Sequence, residues 1–362
     1  MQTFPRSLTV CLVFLTAVMA GWVLWVAAGI IQPLVIALLL ASMFQPLVRW
    51  AARFKIPPFV TVITIVTAFF FGAVQIAIIV KDGTLSFLGK LPANAPIDPR
   101  NEDQRNFAKL MVDGLHSWLL EHRIPEPIAE LAQNALQSID QEALAGNLLG
   151  SGVDFTRSLL LVVLYMLFIF AEQAVFRRKI LSVFEDRRED ARAVLDKIGL
   201  DIQRYLGVKT ITSLATGALC YAVLVGLNIP YALLLATMTF ALNYIPTFGS
   251  FIGGMIATAV ALIHQPGLVP ALPVFLTYVG VNAVLGSYLE PKILGRELNL
   301  SPLVVIISVV VWAGLWGAVG TFLAVPLTAA MQIILANNET TRPIAVMLGS
   351  GPPREDKRSV KT

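Results

Sequence analysis

The sequence predicts an all-α polytopic membrane protein with about eight membrane-embedded helical segments, including broken or re-entrant helices in the C-terminal half. Three observations predict it. Of the 362 residues, 56% are hydrophobic and only 14% charged, and the mean hydropathy is +0.74. The apolar residues stand in long blocks, as membrane spans require and a soluble core does not. Several blocks near the C-terminus are short and interrupted by glycine and proline.

Composition also bounds the partners. A formal net charge of +4 is small, so nucleic acid is not an expected partner, and the lipid bilayer is the expected surroundings. Cys11 and Cys220 stand alone in apolar blocks and suggest no disulfide framework. The sequence contains no GxxxxGK[ST] loop, no intramembrane aspartate pair and no metal-ligand spacing. A nucleotide-driven pump, a membrane protease or another enzyme is therefore a poor reading, and no cofactor is expected.

Residues 1–80 hold three spans, at Leu8–Ala28, Pro33–Val48 and about Phe59–Val80. The first is longer than the roughly 7–15 residues of a signal-peptide core, so it reads as a retained span. Pro33 suits the first turn of the second helix, where its missing N–H costs nothing. From 81 to 154 the chain turns polar and acidic, and Phe107, Leu110, Met111, Leu115 and Trp118 recur at helical spacing, which predicts an extracytoplasmic helical insert. A fourth span follows over 155–172. Residues 173–209 read as a cytoplasmic amphipathic helix, with Ile180, Phe184, Ala191, Leu195, Ile198, Ile202 and Tyr205 on one face. Residues 210–336 form a C-terminal transport core, and 337–362 a basic cytoplasmic tail.

Lys and Arg set the orientation. Arg49, Arg53 and Lys55, then Arg177, Arg178 and Lys179, then Arg354, Lys357, Arg358 and Lys361 mark the cytoplasmic side. Both termini are then cytoplasmic, provided the last apolar stretch, Leu303–Leu335, turns back as a hairpin around "AGLWGAVG".

Two regions break the pattern of the spans. Tyr231–Ile245 and Phe251–Ile263 are each about 13–15 residues, or roughly 20–23 Å of helix, short of a hydrocarbon core of about 30 Å. Between them lies "NYIPTFGSFIGG". In the second region Pro302–Trp312 and Thr321–Leu335 flank the glycine-rich "AGLWGAVG", and Pro326 interrupts the later half. Irregular backbone at membrane depth survives only where it is buried in protein or lines a wet cavity. Paired interrupted segments of this kind point to a transporter's binding site, although the same glycines also permit tight helix packing.

The candidate solute pathway is Asn243, Pro246, Thr247, Gly249, Asn282, Trp312 and Gly317, with Gly253, Gly254, Gly314, Gly320 and Pro326 as candidate hinges. Asn282 reads equally as an interhelical hydrogen bond, and Trp312, Trp316, Trp22 and Trp25 as interface anchors or core. Glu290, at a span's cytoplasmic end, is either a solvated helix terminus or a gating and proton-coupling group, with Lys292 and Arg296 at hand as partners. His264, beside Gln265-Pro266-Gly267, reads as a loop residue.

"NYIPTFGSFIGG" together with "EPKILGRELNLSPLVVIISVVVWAGLWGAVGTFLAVPLTA" resembles the paired signatures of the autoinducer-2 exporter (AI-2E) family. By that resemblance Asn243, Pro246, Gly249, Glu290, Pro291, Gly295, Pro302, Gly317, Gly320 and Pro326 take the family's motif positions. Thr247 and Ser250 depart from the residues many members carry there. The resemblance implies a bacterial inner-membrane secondary transporter that exports a small polar solute, with autoinducer-2 the leading candidate, and a homo-oligomer, with pentamers implied. It equally implies a sodium/proton antiporter as the alternative. A non-transporting membrane scaffold, binding partners through its acidic insert and cytoplasmic helix, is the reading from another class.

Overall fold

The computed structural model describes residues 6–88, 141–246, 248–264, 268–294, 300–337 and 339–350. The periodic stretch of the predicted insert, Phe107 to Trp118, and the tail from 351 lie outside the described residues. Among the described residues there is no strand, and six helices are long and apolar enough to cross a membrane. Two shorter apolar helices accompany them. Large apolar side chains such as Phe59, Ile211 and Val310 are exposed along these helices, as contact with lipid rather than water allows. The protein is an all-α polytopic membrane protein.

In order, α1 spans Arg6–Val26, α2 Ala28–Arg53, α3 Pro58–Leu88, α4 Gln141–Val183 and α5 Arg188–Gly226. The shorter α6 (Ala232–Leu242) and α7 (Phe248–His264) follow, and His264 is the last residue of α7 rather than part of a loop. Next, α8 (Leu268–Val281) runs into a π-helix, Asn282–Leu289, and a short α9, Glu290–Leu294. Finally α10 covers Pro302–Ala336 and α11 Arg342–Leu348.

The chain divides into two compact units, one of Met1–Val66, Ser158–Gly207 and Arg296–Thr362, the other of Thr67–Arg157 and Val208–Gly295. In the first unit α1, α2 and α10 pack on one another. The stretch 173–209 is not one amphipathic helix here. It forms the end of α4 and the start of α5, joined by a single 3-10 turn at Glu185–Arg187. The turn falls in a run of six charged residues, Glu185 to Asp190, which offers no apolar face to bury. The two arms are clipped by an ion pair, Arg177 Nη2 to Asp196 Oδ1 at 2.5 Å. Gln45 on α2 donates to Gln173 at 3.4 Å, and Arg49 to Gln203 at 3.2 Å, tying α2 to both arms.

Within the same unit α10 is not a straight rod. Gly317 takes φ 62 and ψ −139, a left-handed conformation that L side chains rarely adopt, and the helix turns back there. Ser301 caps its start by accepting from the Val304 N–H at 3.2 Å, ahead of Pro302. At the end of α11, the Leu348 carbonyl accepts from the Ser301 N–H at 3.0 Å. The chain thus leaves α10 on the side where it entered, and the segment forms a hairpin.

The second unit is centred on Cys220 and Leu224 of α5, Leu235 of α6, Ala257 and Ala261 of α7, and Val274 and Tyr278 of α8. Here α6 has 11 residues, about 16 Å of helix, and α7 has 17, about 25 Å. Neither reaches the ~30 Å of a hydrocarbon core. They pack on each other as a second hairpin, with the bend at 243–246.

Candidate functional site

The second hairpin closes because glycine faces the end of α6. A Cβ built on Gly249 would stand 1.7 Å from the Leu242 carbonyl oxygen, so only a hydrogen can be accommodated. Gly253 and Gly254 lie further along α7, the first against Thr239 and the second against the Tyr278 ring. The bend exposes hydrogen-bonding groups of the chain at 243–246, and the structure shows what they meet.

They meet α5. Asn243 Nδ2 donates to Ser213 Oγ at 3.0 Å, and the Tyr244 hydroxyl shares a hydrogen bond with Thr210 Oγ1 at 2.7 Å. One turn earlier on α5, the Lys209 ammonium donates to both carboxylate oxygens of Glu290, at 2.8 and 3.0 Å. The pair is enclosed, with side chains only 6% and 14% exposed. Lys209, Thr212, Ser213 and Thr216 are all buried, and they recur at i, i+3, i+4 and i+7 on one face of the helix. Thr212 satisfies its hydroxyl locally on the Lys209 carbonyl at 3.1 Å.

Two further polar contacts extend this cluster. Ser250, one residue past the tight Gly249, donates to Asn282 Oδ1 at 2.7 Å, and Thr239 and Tyr278 share a hydrogen bond at 2.8 Å. Asn282 opens the π-helix that delivers Glu290, whose own N–H bonds back to Leu285 in the i→i−5 pattern. The widened turn therefore sits directly before the buried carboxylate. Such π segments are frequent at functional sites.

The predicted site residues divide between the two units. Asn243, Pro246, Gly249, Gly253, Gly254, Asn282, Glu290 and Lys292 fall in the second, and Trp312, Gly314, Gly317, Gly320 and Pro326 in the first. Thr247 and Arg296 lie outside the described residues. Glu290 is paired with Lys209 rather than Lys292, whose ammonium stands over the Tyr288 ring, 5.3 Å from its centroid. The reason is helical geometry, since residues two apart do not face each other. Asn282 makes the interhelical hydrogen bond that is one of its two readings.

In the first unit the tryptophans separate. Trp312 and Trp316 are buried and pack at a tilt of 52° with ring centroids 5.1 Å apart, while Trp22 and Trp25 are exposed on α1. Trp312 donates its indole N–H to Thr328 Oγ1 at 3.2 Å, and Trp316 donates to the Leu24 carbonyl at 2.9 Å. The first bond joins the two arms of the α10 hairpin, and the second ties α1 to it. Pro326 is buried in its second arm.

Sequence reasoning misses Lys209, Thr210 and Ser213. The signal is present, since a lysine followed by hydroxyl residues at helical spacing marks one polar stripe on an otherwise apolar span. A cavity of about 310 Å³ elsewhere in this unit, lined by Ile76, Leu214, Tyr221, Leu233, Thr237 and Phe240, is mostly apolar. Among the described residues, no group of three or more His, Cys, Asp or Glu gathers as metal ligands would. What the site offers instead is an enclosed carboxylate–ammonium pair beside hydroxyl and amide groups.

Known proteins share this chain's plan. The sequence model of the AI-2E family transporters matches residues 12–339. The AI-2 transport protein TqsA of Escherichia coli K12 is 31% identical over 325 residues, covering 89% of this chain and 90% of its own. A Haemophilus influenzae protein, named only for transport, is 29% identical over 332 residues, with 89% and 91% covered. YhhT of Escherichia coli K12, likewise named for transport, is 27% identical over 340 residues, with 94% and 93% covered.

Proposed function

The chain belongs to the AI-2E family of membrane transporters, and on that premise we propose that it is a secondary exporter of a small polar solute, autoinducer-2 being the leading candidate. The resemblance to TqsA supports that solute, since the relative is named for AI-2 transport. The exporter resides in the bacterial inner membrane as a homo-oligomer, a pentamer by the family resemblance, with both termini cytoplasmic. It works by alternating access, the solute being handed along groups that the broken helices leave separable.

One observation carries this reading: in the second unit, the bend at 243–246 and the carboxylate of Glu290 converge on one polar stretch of α5, Lys209 to Ser213. Burying so many polar groups between apolar helices costs stability unless each is hydrogen-bonded, and here each has a partner. A hydroxyl-rich solute can exchange those partners one for one. Gly249 permits the close hairpin, and Glu290 acts as the gating and proton-coupling group.

The same ion pair favours a second reading, sodium/proton exchange with no organic solute, in which Glu290 binds the two cations alternately. Flux in proteoliposomes holding the purified full chain separates the two. Autoinducer-2 is loaded inside, the proton gradient is switched on or off, and wild type is run beside Glu290→Gln with a pH-sensitive dye and a sodium pulse in parallel. Gradient-dependent efflux that collapses in Glu290→Gln is expected. Sodium-driven proton movement without efflux would replace the exporter with the antiporter.

A further inference from the structure

A carboxylate enclosed among apolar helices requires a cation beside it. In this protein the cation belongs to the chain: one ammonium spans both oxygens of Glu290, at 2.8 and 3.0 Å, from a lysine whose side chain is only 6% exposed. We propose, resting on the transport reading above, that Glu290 is a monovalent-cation site and that Lys209 is its resident counter-cation, competing with an incoming proton or sodium ion for the same carboxylate.

Three features fit this role. The ammonium sits where a bound ion would sit, bridging the two oxygens. Lysine carries its charge on a flexible four-carbon stem, so it can withdraw without moving α5. Glu290 succeeds a π-helix of 8 residues and closes it by an i→i−5 bond to Leu285. Reversion of such a turn to the i→i−4 pattern changes the register of the downstream residues and rotates Glu290 about the helix axis. The charge balance is simple. A proton or sodium ion adds to the carboxylate, Lys209 keeps its own proton, and the site passes from neutral to one positive charge, which expels the ammonium from its enclosed position.

Three other titratable groups among the described residues of this unit are engaged elsewhere. Lys292 lies on the Tyr288 ring, the Tyr244 hydroxyl on Thr210, and the Tyr278 hydroxyl on Thr239.

The test uses the purified full chain in detergent and reads the thermal midpoint, first against pH at low sodium and then against sodium at fixed pH. Wild type, Lys209→Arg, Lys209→Met and the neutral pair Lys209→Met/Glu290→Gln are compared. With the counter-cation removed, the carboxylate recruits an ion from solution. The Lys209→Met midpoint is therefore expected to rise relative to wild type by about 5 °C on acidification, if the ligand is a proton, or on sodium addition, if it is sodium. The neutral pair is expected to track wild type in both series. A constant offset of Lys209→Met from wild type would leave Lys209 a purely structural residue and overturn the proposal.

Should Lys209→Met fail to fold, Lys209→Arg decides. Its planar fork grips a carboxylate bidentately, so the half-saturating proton or sodium concentration for transport is expected to rise about ten-fold. An unchanged value overturns the proposal. Loss of efflux control in Glu290→Gln is read separately, so the exporter reading and the counter-cation proposal fail on different measurements.

Discussion

Trp312 donates its indole N–H to Thr328 across sixteen residues of one helix, at 3.2 Å. In a straight helix sixteen residues cover about 24 Å. The two side chains meet only because the helix reverses between them, and the reversal rests on one residue with φ 62, Gly317. A Cβ on Gly320 would lie 1.8 Å from the Trp312 carbonyl oxygen, which shows how closely the returning arm passes the first. The length and apolarity of Pro302–Ala336 alone would suggest a simple crossing. The hairpin instead returns the chain to Ser301.

Gly317→Ala is therefore expected to destabilise the fold by about 1–3 kcal/mol, the usual cost of an L side chain in a sparsely populated backbone region. Gly314→Ala is the control. Gly314 is helical and its Cβ position meets nothing within 4 Å, so alanine there is expected to be neutral or to stabilise by up to about 1 kcal/mol. Thermal unfolding of the two variants in detergent checks this. Equal midpoints would mean that the reversal does not depend on Gly317.

The α6–α7 hairpin makes a similar contrast between two glycines four residues apart. At Gly249 a Cβ meets backbone, the Leu242 carbonyl, at 1.7 Å, and backbone cannot step aside without opening the bend. At Gly253 the nearest atom is the Thr239 hydroxyl oxygen, at 3.3 Å, which gives by a few tenths of an ångström. Gly249→Ala is expected to abolish flux or folding, and Gly253→Ala to retain both with a loss below about 1 kcal/mol. Efflux and the thermal midpoint of each variant, measured on matched amounts of protein, distinguish them.

Trp316→Phe keeps most of the ring but removes the N–H that meets the Leu24 carbonyl at 2.9 Å. A carbonyl that loses its donor in an enclosed position costs about 1–3 kcal/mol. The expected result is a lower thermal midpoint with the flux per folded molecule unchanged, because Trp316 holds α1 to the hairpin and carries no polar solute. A variant that is as stable as wild type but transports poorly would instead place the indole in the solute's path.

Much of this architecture is legible in the sequence for identifiable reasons. Blocks of apolar residues give the spans, and glycine and proline give the two bends, because each acts through its own backbone. Two things are not legible. The charged run Glu185–Asp190 is compatible with one solvated helix or with a turn, and the structure has the turn, with Arg177 and Asp196 paired across it. The partner of Glu290 lies 81 residues away, so neighbours in sequence, Lys292 and Arg296, stand in for it. The stripe from Lys209 to Thr216 is readable as a polar face, but its first member sits at the edge of an amphipathic segment and passes for a solvated end.

Asn243 and Ser213 give a prediction that separates transport from packing. Asn243 Nδ2 donates to Ser213 Oγ at 3.0 Å, and both residues are buried. Either alanine variant removes the same hydrogen bond, at a cost of about 1 kcal/mol or somewhat more where a polar group is left without its partner. If the bond served only to pack α5 against the bend, Asn243→Ala and Ser213→Ala would lower stability and flux together and to similar degrees. In the transport reading they diverge. Asn243→Ala removes the amide that would grip the solute, and the expected result is an efflux KM raised about ten-fold, equivalent to about 1.4 kcal/mol of binding. Ser213→Ala leaves that amide in place and releases it from its internal partner, so the solute no longer competes with the serine and KM is expected to stay level or fall. Efflux kinetics of the two variants in proteoliposomes, normalised to folded protein, carry the comparison, and a parallel loss in both would remove Asn243 from the solute pathway.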